Sequence, residues 1–163
     1  MSETGPNKSS CCVPDRDATA SSGATRQTIK ADGAALPNRL VSVPGGPSHV
    51  GTSKSELQID GEGPPRKVRL KPYRIDPVAV TYDWFAKFIA QTGYKTDAES
   101  YGWSLVFFSF LDNADQYESP VQTPWWRKVE GATWAQPLGP GSHWEPMADH
   151  PVTHVSWNDA NAF

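Results

Sequence analysis

Side chains that could do chemistry are few in this chain, and two of its four histidines have a suggestive spacing. His150 and His154 are four residues apart, which on a helix would place two metal ligands on one face. Pro151 and the β-branched residues that follow it favour an extended segment instead. In that conformation the two Cα atoms lie about 13 Å apart, too far to share a metal ion. We therefore predict that His150 is a structural anchor that hydrogen-bonds the backbone.

Both cysteines, Cys11 and Cys12, are adjacent and lie near the N-terminus. They could form a vicinal disulfide, bind a metal weakly or act as a redox pair, but two exposed thiols without a shaped site are the favoured interpretation. The chain has no further cysteine, which excludes a disulfide framework and a cysteine-based zinc site. No phosphate-binding glycine loop and no Ser/His/Asp order can be traced.

The tryptophans are the remaining candidates. They could line a groove that stacks on sugars or holds an extended peptide, or they could be core residues of a loop-rich fold. All 18 aromatic residues lie between Tyr73 and Phe163, and the chain has 13 glycines and 15 prolines. This combination indicates long ordered loops held by large side chains. The candidates considered are Trp103, Trp125, Trp126, Trp134, Trp144 and Trp157.

Three helix starts are readable in the elements that must position these side chains. Thr81 is a good N-cap, an apolar stripe follows it, and Thr92-Gly93 is a typical stop. Thr96 opens a capping box that predicts a single helical turn. Ser156, with Asp159 three residues later, opens another, although few residues follow it.

The remaining segments are a tail and short strands. Residues 1–35 contain no aromatic residue and are rich in small polar ones, which predicts a disordered tail ahead of a domain over residues 36–163. Residues 40–43 and 66–71 have strand patterns. Residues 73–75 are predicted to continue the second strand or to pair with it.

Bulk properties exclude several classes of function. The net charge is −3, so no broad basic surface for nucleic acid is expected, and no apolar run is long enough to span a membrane. The N-terminus lacks the apolar core of a secretory signal. These features predict a cytoplasmic protein.

Several blocks of the sequence, in order, resemble the N-terminal half of the formylglycine-generating enzyme (sulfatase-modifying factor) family. The similarity runs from about residue 40 to the last residue, and its final block is the most specific. The blocks are Val43-Pro44-Gly45-Gly46, Asp60-Gly61-Glu62-Gly63-Pro64-Pro65-Arg66, Gln91-Thr92-Gly93-Tyr94-Lys95-Thr96-Asp97-Ala98-Glu99, Gly102-Trp103-Ser104, Pro124-Trp125-Trp126 and His150-Pro151-Val152-Thr153-His154-Val155-Ser156-Trp157-Asn158-Asp159-Ala160.

The resemblance implies an α+β, loop-rich fold related to C-type-lectin-like domains, incomplete at its C-terminus. Members of this family use O₂ and copper to convert a cysteine in a Cys-x-Pro-x-Arg motif of an unfolded sulfatase polypeptide to Cα-formylglycine. The resemblance also implies that the copper-binding cysteine pair and the ligands of a structural calcium lie beyond Phe163. We therefore expect this chain to be an N-terminal fragment, to bind neither metal and to lack the oxidation activity.

The resemblance also carries over a set of substrate contacts. Ser104 is the best match to a substrate-peptide contact, with Trp103 as its neighbour, and Trp125 and Trp126 are further groove candidates. An alternative function is a non-catalytic, lectin-like or peptide-binding paralogue with an aromatic groove. An iron-dependent sulfoxide synthase would need a histidine-rich site that these residues do not supply.

Overall fold

The computed structural model describes residues 39–56, 58–121 and 123–163, with Ile59 described by its backbone alone. The predicted tail and the Cys11-Cys12 pair therefore lie outside the described residues. Contacts divide the described chain into two compact units, Arg39–Pro77 and Val78–Phe163.

The first unit consists of two antiparallel two-stranded sheets. Strand β1 (Val41–Val43) pairs with β4 (Tyr73–Ile75), and β2 (Gly46–Val50) pairs with β3 (Arg66–Leu70). The strand patterns are confirmed, but the predicted partner of residues 73–75 is wrong. They pair with the first strand, because Gly45 at φ 74 turns the chain so that β1 and β2 lie in different sheets.

The second unit begins with two capped helices. Helix α1 (Tyr82–Thr92) starts at Thr81, whose side chain accepts from the Trp84 amide, and ends at left-handed Gly93. Helix α2 (Asp97–Tyr101) opens with the predicted capping box of Thr96 and ends at left-handed Gly102. Both predictions are confirmed, because a cap depends on residues only three or four positions apart.

A two-stranded antiparallel ribbon follows the second helix. Strand β5 (Trp103–Phe107) begins directly after Gly102 and pairs with β6 (Trp126–Glu130). Val106, Val129 and Ala132 form a small buried cluster on one face of the ribbon, and Leu111 and Tyr117 pack against it.

The chain ends in helix α3 (Trp157–Ala162), which begins with the predicted capping box of Ser156 and Asp159. The residue after this helix, Phe163, packs into the main aromatic core. That ring lies 6.0 Å from Phe85 and 5.3 Å from Phe88, centroid to centroid. The core cluster consists of Tyr82, Phe85, Phe88 and Trp134.

Helix α1 buries the apolar stripe that the sequence predicts, and the short elements are joined by 3-10 turns. Mixed helix and sheet with few regular elements agrees with the predicted α+β, loop-rich class. Among the described residues, no helix is both long and apolar enough to cross a bilayer.

Candidate functional site

The β5–β6 ribbon has two faces of different character. The register pairs Trp103 with Glu130 and Phe107 with Trp126, and side chains alternate between the faces along each strand. Ser104 and Val106 lie on the inner face and are buried. Trp103 and Trp126 lie on the opposite, outer face. The ribbon therefore separates Ser104 from Trp103 and Trp126, two of the three tryptophans that were predicted to share its site.

A lysine occupies the middle of the outer face. The Lys128 ammonium lies 5.1 Å from the centre of the Trp103 ring and 3.1 Å from a Glu130 carboxylate oxygen. Lys128 is directly opposite Leu105 in the register. An ammonium over an indole is an attractive arrangement that also holds the ring in place.

An aromatic cluster stands at the far end of the outer face. The Phe107 ring contacts three other rings at centroid distances of 5.0 to 6.1 Å. Phe110 is 66% exposed, and Phe108 and the nearby Trp125 are each 43% exposed. We call this set the aromatic cluster: the contacting rings of Phe107, Phe108, Phe110 and Trp126, together with Trp125, whose backbone carbonyl accepts from the Phe108 amide.

Arg127 holds the loop that carries the aromatic cluster. Its side chain is 13% exposed and lies on the inner face of the ribbon. Its Nε donates to the Ala114 carbonyl at 2.8 Å, and its Nη1 donates to the carbonyls of Pro124 and Trp126. A planar guanidinium with several fixed donors suits this role because it ties separate backbone segments together.

On the inner face of the ribbon, the Ser104 side chain is hydrogen-bonded to a histidine. Its hydroxyl lies 2.9 Å from His154 Nδ1, and His154 Nε2 lies 2.8 Å from the Pro137 carbonyl. A carbonyl only accepts, so Nε2 carries the proton, and in the neutral ring Nδ1 accepts from the Ser104 hydroxyl. Ser104 is 6% exposed, so its side chain is buried in this structure.

The roles of the two C-terminal histidines are exchanged relative to the sequence prediction. The His150 side chain is 65% exposed, with Nε2 3.9 Å from Asp149, so the prediction that it anchors the backbone is wrong. The backbone of His150 does that work, since its carbonyl accepts from the Tyr82 amide. His154 is the anchoring side chain. It adopts φ 59, which interrupts the extended segment predicted there.

Asp159 joins the starts of α2 and α3. It is fully buried, and its Oδ1 accepts from the Tyr94 hydroxyl at 2.9 Å and from the Asp97 amide at 3.0 Å. Its Oδ2 accepts from the Ser156 amide at 2.7 Å. Burial, followed by the hydrogen bond to Asp159 and that carboxylate's charge, raises the pKa of Tyr94. The network makes the two capping boxes into one structural joint.

The described residues do not fit a copper or calcium site. None of them is a cysteine, and no group of three or more His, Asp or Glu side chains is placed to hold a metal ion within this part of the chain. Copper in a thiolate site needs cysteine sulfur, and calcium needs several oxygen ligands around one point, usually with carboxylates among them. No chemical step is therefore assigned to a metal on these residues.

The structure does not bring all four of the predicted substrate contacts together. Trp103 and Trp126 share the outer face, and Trp125, the residue before β6, is exposed. Ser104 faces the interior and binds His154. Their role in substrate binding stays a prediction. Sequence reasoning missed the roles of Arg127, which bonds the Ala114 carbonyl 13 residues away, and of His154, which bonds Ser104 across 50 residues.

Comparison with known proteins decides the family. Residues 25–163 match the Sulfatase-modifying factor enzyme 1-like domain. The chain belongs to the sulfatase-modifying factor family. It is 46% identical over 127 residues to a formylglycine-generating enzyme of Thermomonospora curvata, covering 76% of this chain and 42% of that relative.

Two bovine relatives add a contrast within the sulfatase-modifying factor family. The chain is 41% identical to the formylglycine-generating enzyme of Bos taurus over 132 residues, which are 78% of this chain and 35% of that protein. It is also 41% identical to the inactive Cα-formylglycine-generating enzyme 2 of Bos taurus, over 76% of this chain and 42% of the relative. The chain thus spans about two fifths of the length of these curated relatives.

Proposed function

We propose that this chain supplies the N-terminal part of a formylglycine-generating enzyme, which uses O₂ to convert the cysteine of a Cys-x-Pro-x-Arg motif in an unfolded sulfatase to Cα-formylglycine. The observation that carries the proposal is the 46% identity to the enzyme of Thermomonospora curvata across three quarters of the chain. The chemistry itself is proposed to require copper, and the fold a calcium ion, with ligands on polypeptide outside residues 39–163.

The contribution of this chain is to hold the substrate polypeptide. The aromatic cluster has exposed rings at one end of the ribbon. Arg127 stabilises the adjoining loop through its hydrogen bond to the Ala114 carbonyl. A proline ring packs well on an indole, and an arginine guanidinium stacks on one. The substrate motif contains both residue types, so Trp125 and Trp126 are proposed to contact it. Ser104 would contact substrate only through the lone pairs that its bond to His154 leaves free.

A non-catalytic, peptide-binding paralogue is the second candidate function. The observation that favours it is the equal identity, 41%, to an active and an inactive bovine relative. The absence of cysteine from residues 39–163 agrees with either function. The two candidates share the aromatic cluster and differ in whether bound peptide is oxidised.

A chimera tests whether residues 39–163 can support the oxidation when an active relative supplies the remaining polypeptide. Residues 39–163 replace the matched part of the Thermomonospora curvata enzyme, and the product is incubated with copper and a peptide that contains the motif. We expect an aldehyde, detected by mass spectrometry and by an aldehyde-reactive probe. A chimera that melts cooperatively and binds the peptide without forming aldehyde would overturn the enzyme assignment in favour of the paralogue. The 163-residue chain alone, with copper, is expected to form no aldehyde.

Peptide binding by the chain alone tests the proposed contacts even where the chimera does not fold. Trp125→Ala removes an exposed ring of the aromatic cluster and is expected to weaken peptide binding about tenfold, since stacking contacts are worth roughly 1–2 kcal/mol. Trp157→Ala, which removes a 79% exposed ring on α3, is the matched control. Equal affinities for the two variants would exclude the aromatic cluster as the binding site.

A further inference from the structure

Charge is distributed unevenly between the two units, which the net charge of the chain conceals. Arg39–Pro77 carries seven Lys and Arg residues against four Asp and Glu, whereas Val78–Phe163 carries four against ten. With neutral histidines, the first unit is positive and the second strongly negative. Such an asymmetry indicates that the two units attract different partners.

The positive charge of the first unit is concentrated on one strand. Arg66, Lys67 and Arg69 lie on β3, Lys71 follows it, and all four side chains are exposed. No carboxylate of the described residues lies within ion-pair distance of these four cations; the ion pair seen in this unit joins Arg39 to Asp76. The charge of β3 is therefore available to a partner.

The spacing of these cations defines the shape of that partner. Lys67 and Arg69 alternate along β3, so they fall on the same side of the strand, about 7 Å apart, and Lys71 follows at the same interval in sequence. An extended polypeptide has the same repeat, which brings acidic side chains at alternate positions opposite successive cations. Among the described residues β3 pairs only with β2, so its second edge has no strand beside it.

A protein partner fits the whole chain better than a nucleic acid does. The second unit is acidic and would repel a long polyanion, whereas a short acidic segment of a polypeptide needs only the local charge of β3. The reaction class proposed above also acts on an unfolded polypeptide, which is extended and offers such segments.

We propose that β3 and Lys71 form a docking surface for an acidic, extended segment of the substrate polypeptide, apart from the segment that contains the cysteine motif. The inference rests on the proposed function for the identity of the polypeptide, but not for the binding itself. Its consequence is selectivity: unfolded sulfatases with alternating acidic residues outside the motif bind more tightly than those without.

Fluorescence anisotropy with the full chain tests the surface. The probe is a labelled eight-residue peptide that alternates Asp with Thr and contains no cysteine. Lys67→Gln combined with Arg69→Gln is expected to weaken binding about tenfold at low salt. Lys87→Gln combined with Lys95→Gln makes the same change in net charge at exposed sites of the other unit, and is expected to bind as the unaltered chain does. Equal losses in both variants would overturn the proposal.

Two further ligands test shape and class. A peptide with its four Asp residues in one block carries the same charge and is expected to bind more weakly; equal affinity would remove the extended segment from the proposal. A single-stranded oligonucleotide that binds more tightly than the alternating peptide would assign the surface to nucleic acid instead. Because the probe has no cysteine, its binding is independent of aldehyde formation by the chimera, so the two proposals can fail separately.

Discussion

Two buried polar contacts fix side chains of the second unit at the scale of single residues. Ser104 and His154 are 50 residues apart in the chain, yet their side chains are joined by one hydrogen bond. Asp159 accepts three hydrogen bonds, two from the segment that leads into α2 and one from its own helix start. Removing one partner of such a contact lowers the free energy of unfolding, because the remaining polar group stays buried without a hydrogen bond.

The Ser104–His154 contact can be measured by a double-mutant cycle. Ser104→Ala and His154→Ala are each expected to destabilise the chain by about 1–2 kcal/mol, because each leaves the partner unsatisfied. The double variant is expected to lose less than the sum, with a coupling of about 1 kcal/mol. Urea unfolding provides the free energies. Strict additivity would show that the two side chains do not interact.

Asp159→Asn tests the joint between the helix starts. The amide has one accepting oxygen, so its NH₂ group would face a donor, and we expect a loss of about 3 kcal/mol in the free energy of unfolding. Asp149→Asn, at a side chain that is 94% exposed, is the matched control and should change stability by less than about 0.5 kcal/mol. Similar values for the two variants would contradict the network.

At the scale of elements, two glycines with left-handed backbones adjoin the β5–β6 ribbon, one directly before β5 and one packed against β6. Gly102 ends α2 at φ 79 and leads directly into β5. Gly139, at φ 96, lies under the ribbon against Val129 of β6. Both positions need a left-handed backbone, but only the second is crowded.

This difference predicts unequal effects of the same substitution. A Cβ at residue 102 meets no atom within 4 Å, so Gly102→Ala is expected to cost about 1 kcal/mol for the backbone alone. A Cβ at residue 139 would lie 2.7 Å from Val129 Cγ1, so Gly139→Ala is expected to cost about 3 kcal/mol. Thermal melts of the two variants provide the comparison, and a reversed order would show that the crowding is relieved elsewhere.

At the scale of the whole molecule, the two units differ in how much apolar surface they bury. In the first unit, Val41, Tyr73 and Ile75 are between 45% and 52% exposed. In the second, Phe85 and Phe88 are nearly inaccessible and lie in an aromatic core closed by Phe163. Burial of apolar area is the main source of local stability.

The rates of amide hydrogen exchange should therefore differ between the two units. We expect the amides of Phe85–Ile89 to exchange at least about tenfold more slowly than those of β1 and β4, because opening the helix exposes the aromatic core. Mass spectrometry of exchanged peptides measures both regions in one sample. Uniform protection across the two units would mean that they unfold together.

Much of the second unit is predictable because its signals are local. The caps at Thr81, Thr96 and Ser156 involve residues three positions apart, and each predicted helix start is present. The ordered blocks of motif residues likewise identified the family that the comparison establishes. These features depend on residues that are close together in the chain, so the sequence alone is enough to recognise them.

The arrangement of the candidate site was decided by tertiary structure. Ser104 and Trp103 are adjacent in sequence, but the period of a strand sends them to opposite faces, and only the pairing with β6 shows which face is buried. The partner of residues 73–75 and the roles of His150 and His154 likewise depend on distant segments. Local sequence determined where helices begin and which family the chain belongs to. Long-range pairing decided which side chains meet, because those contacts join residues whose spacing in the chain carries no signal.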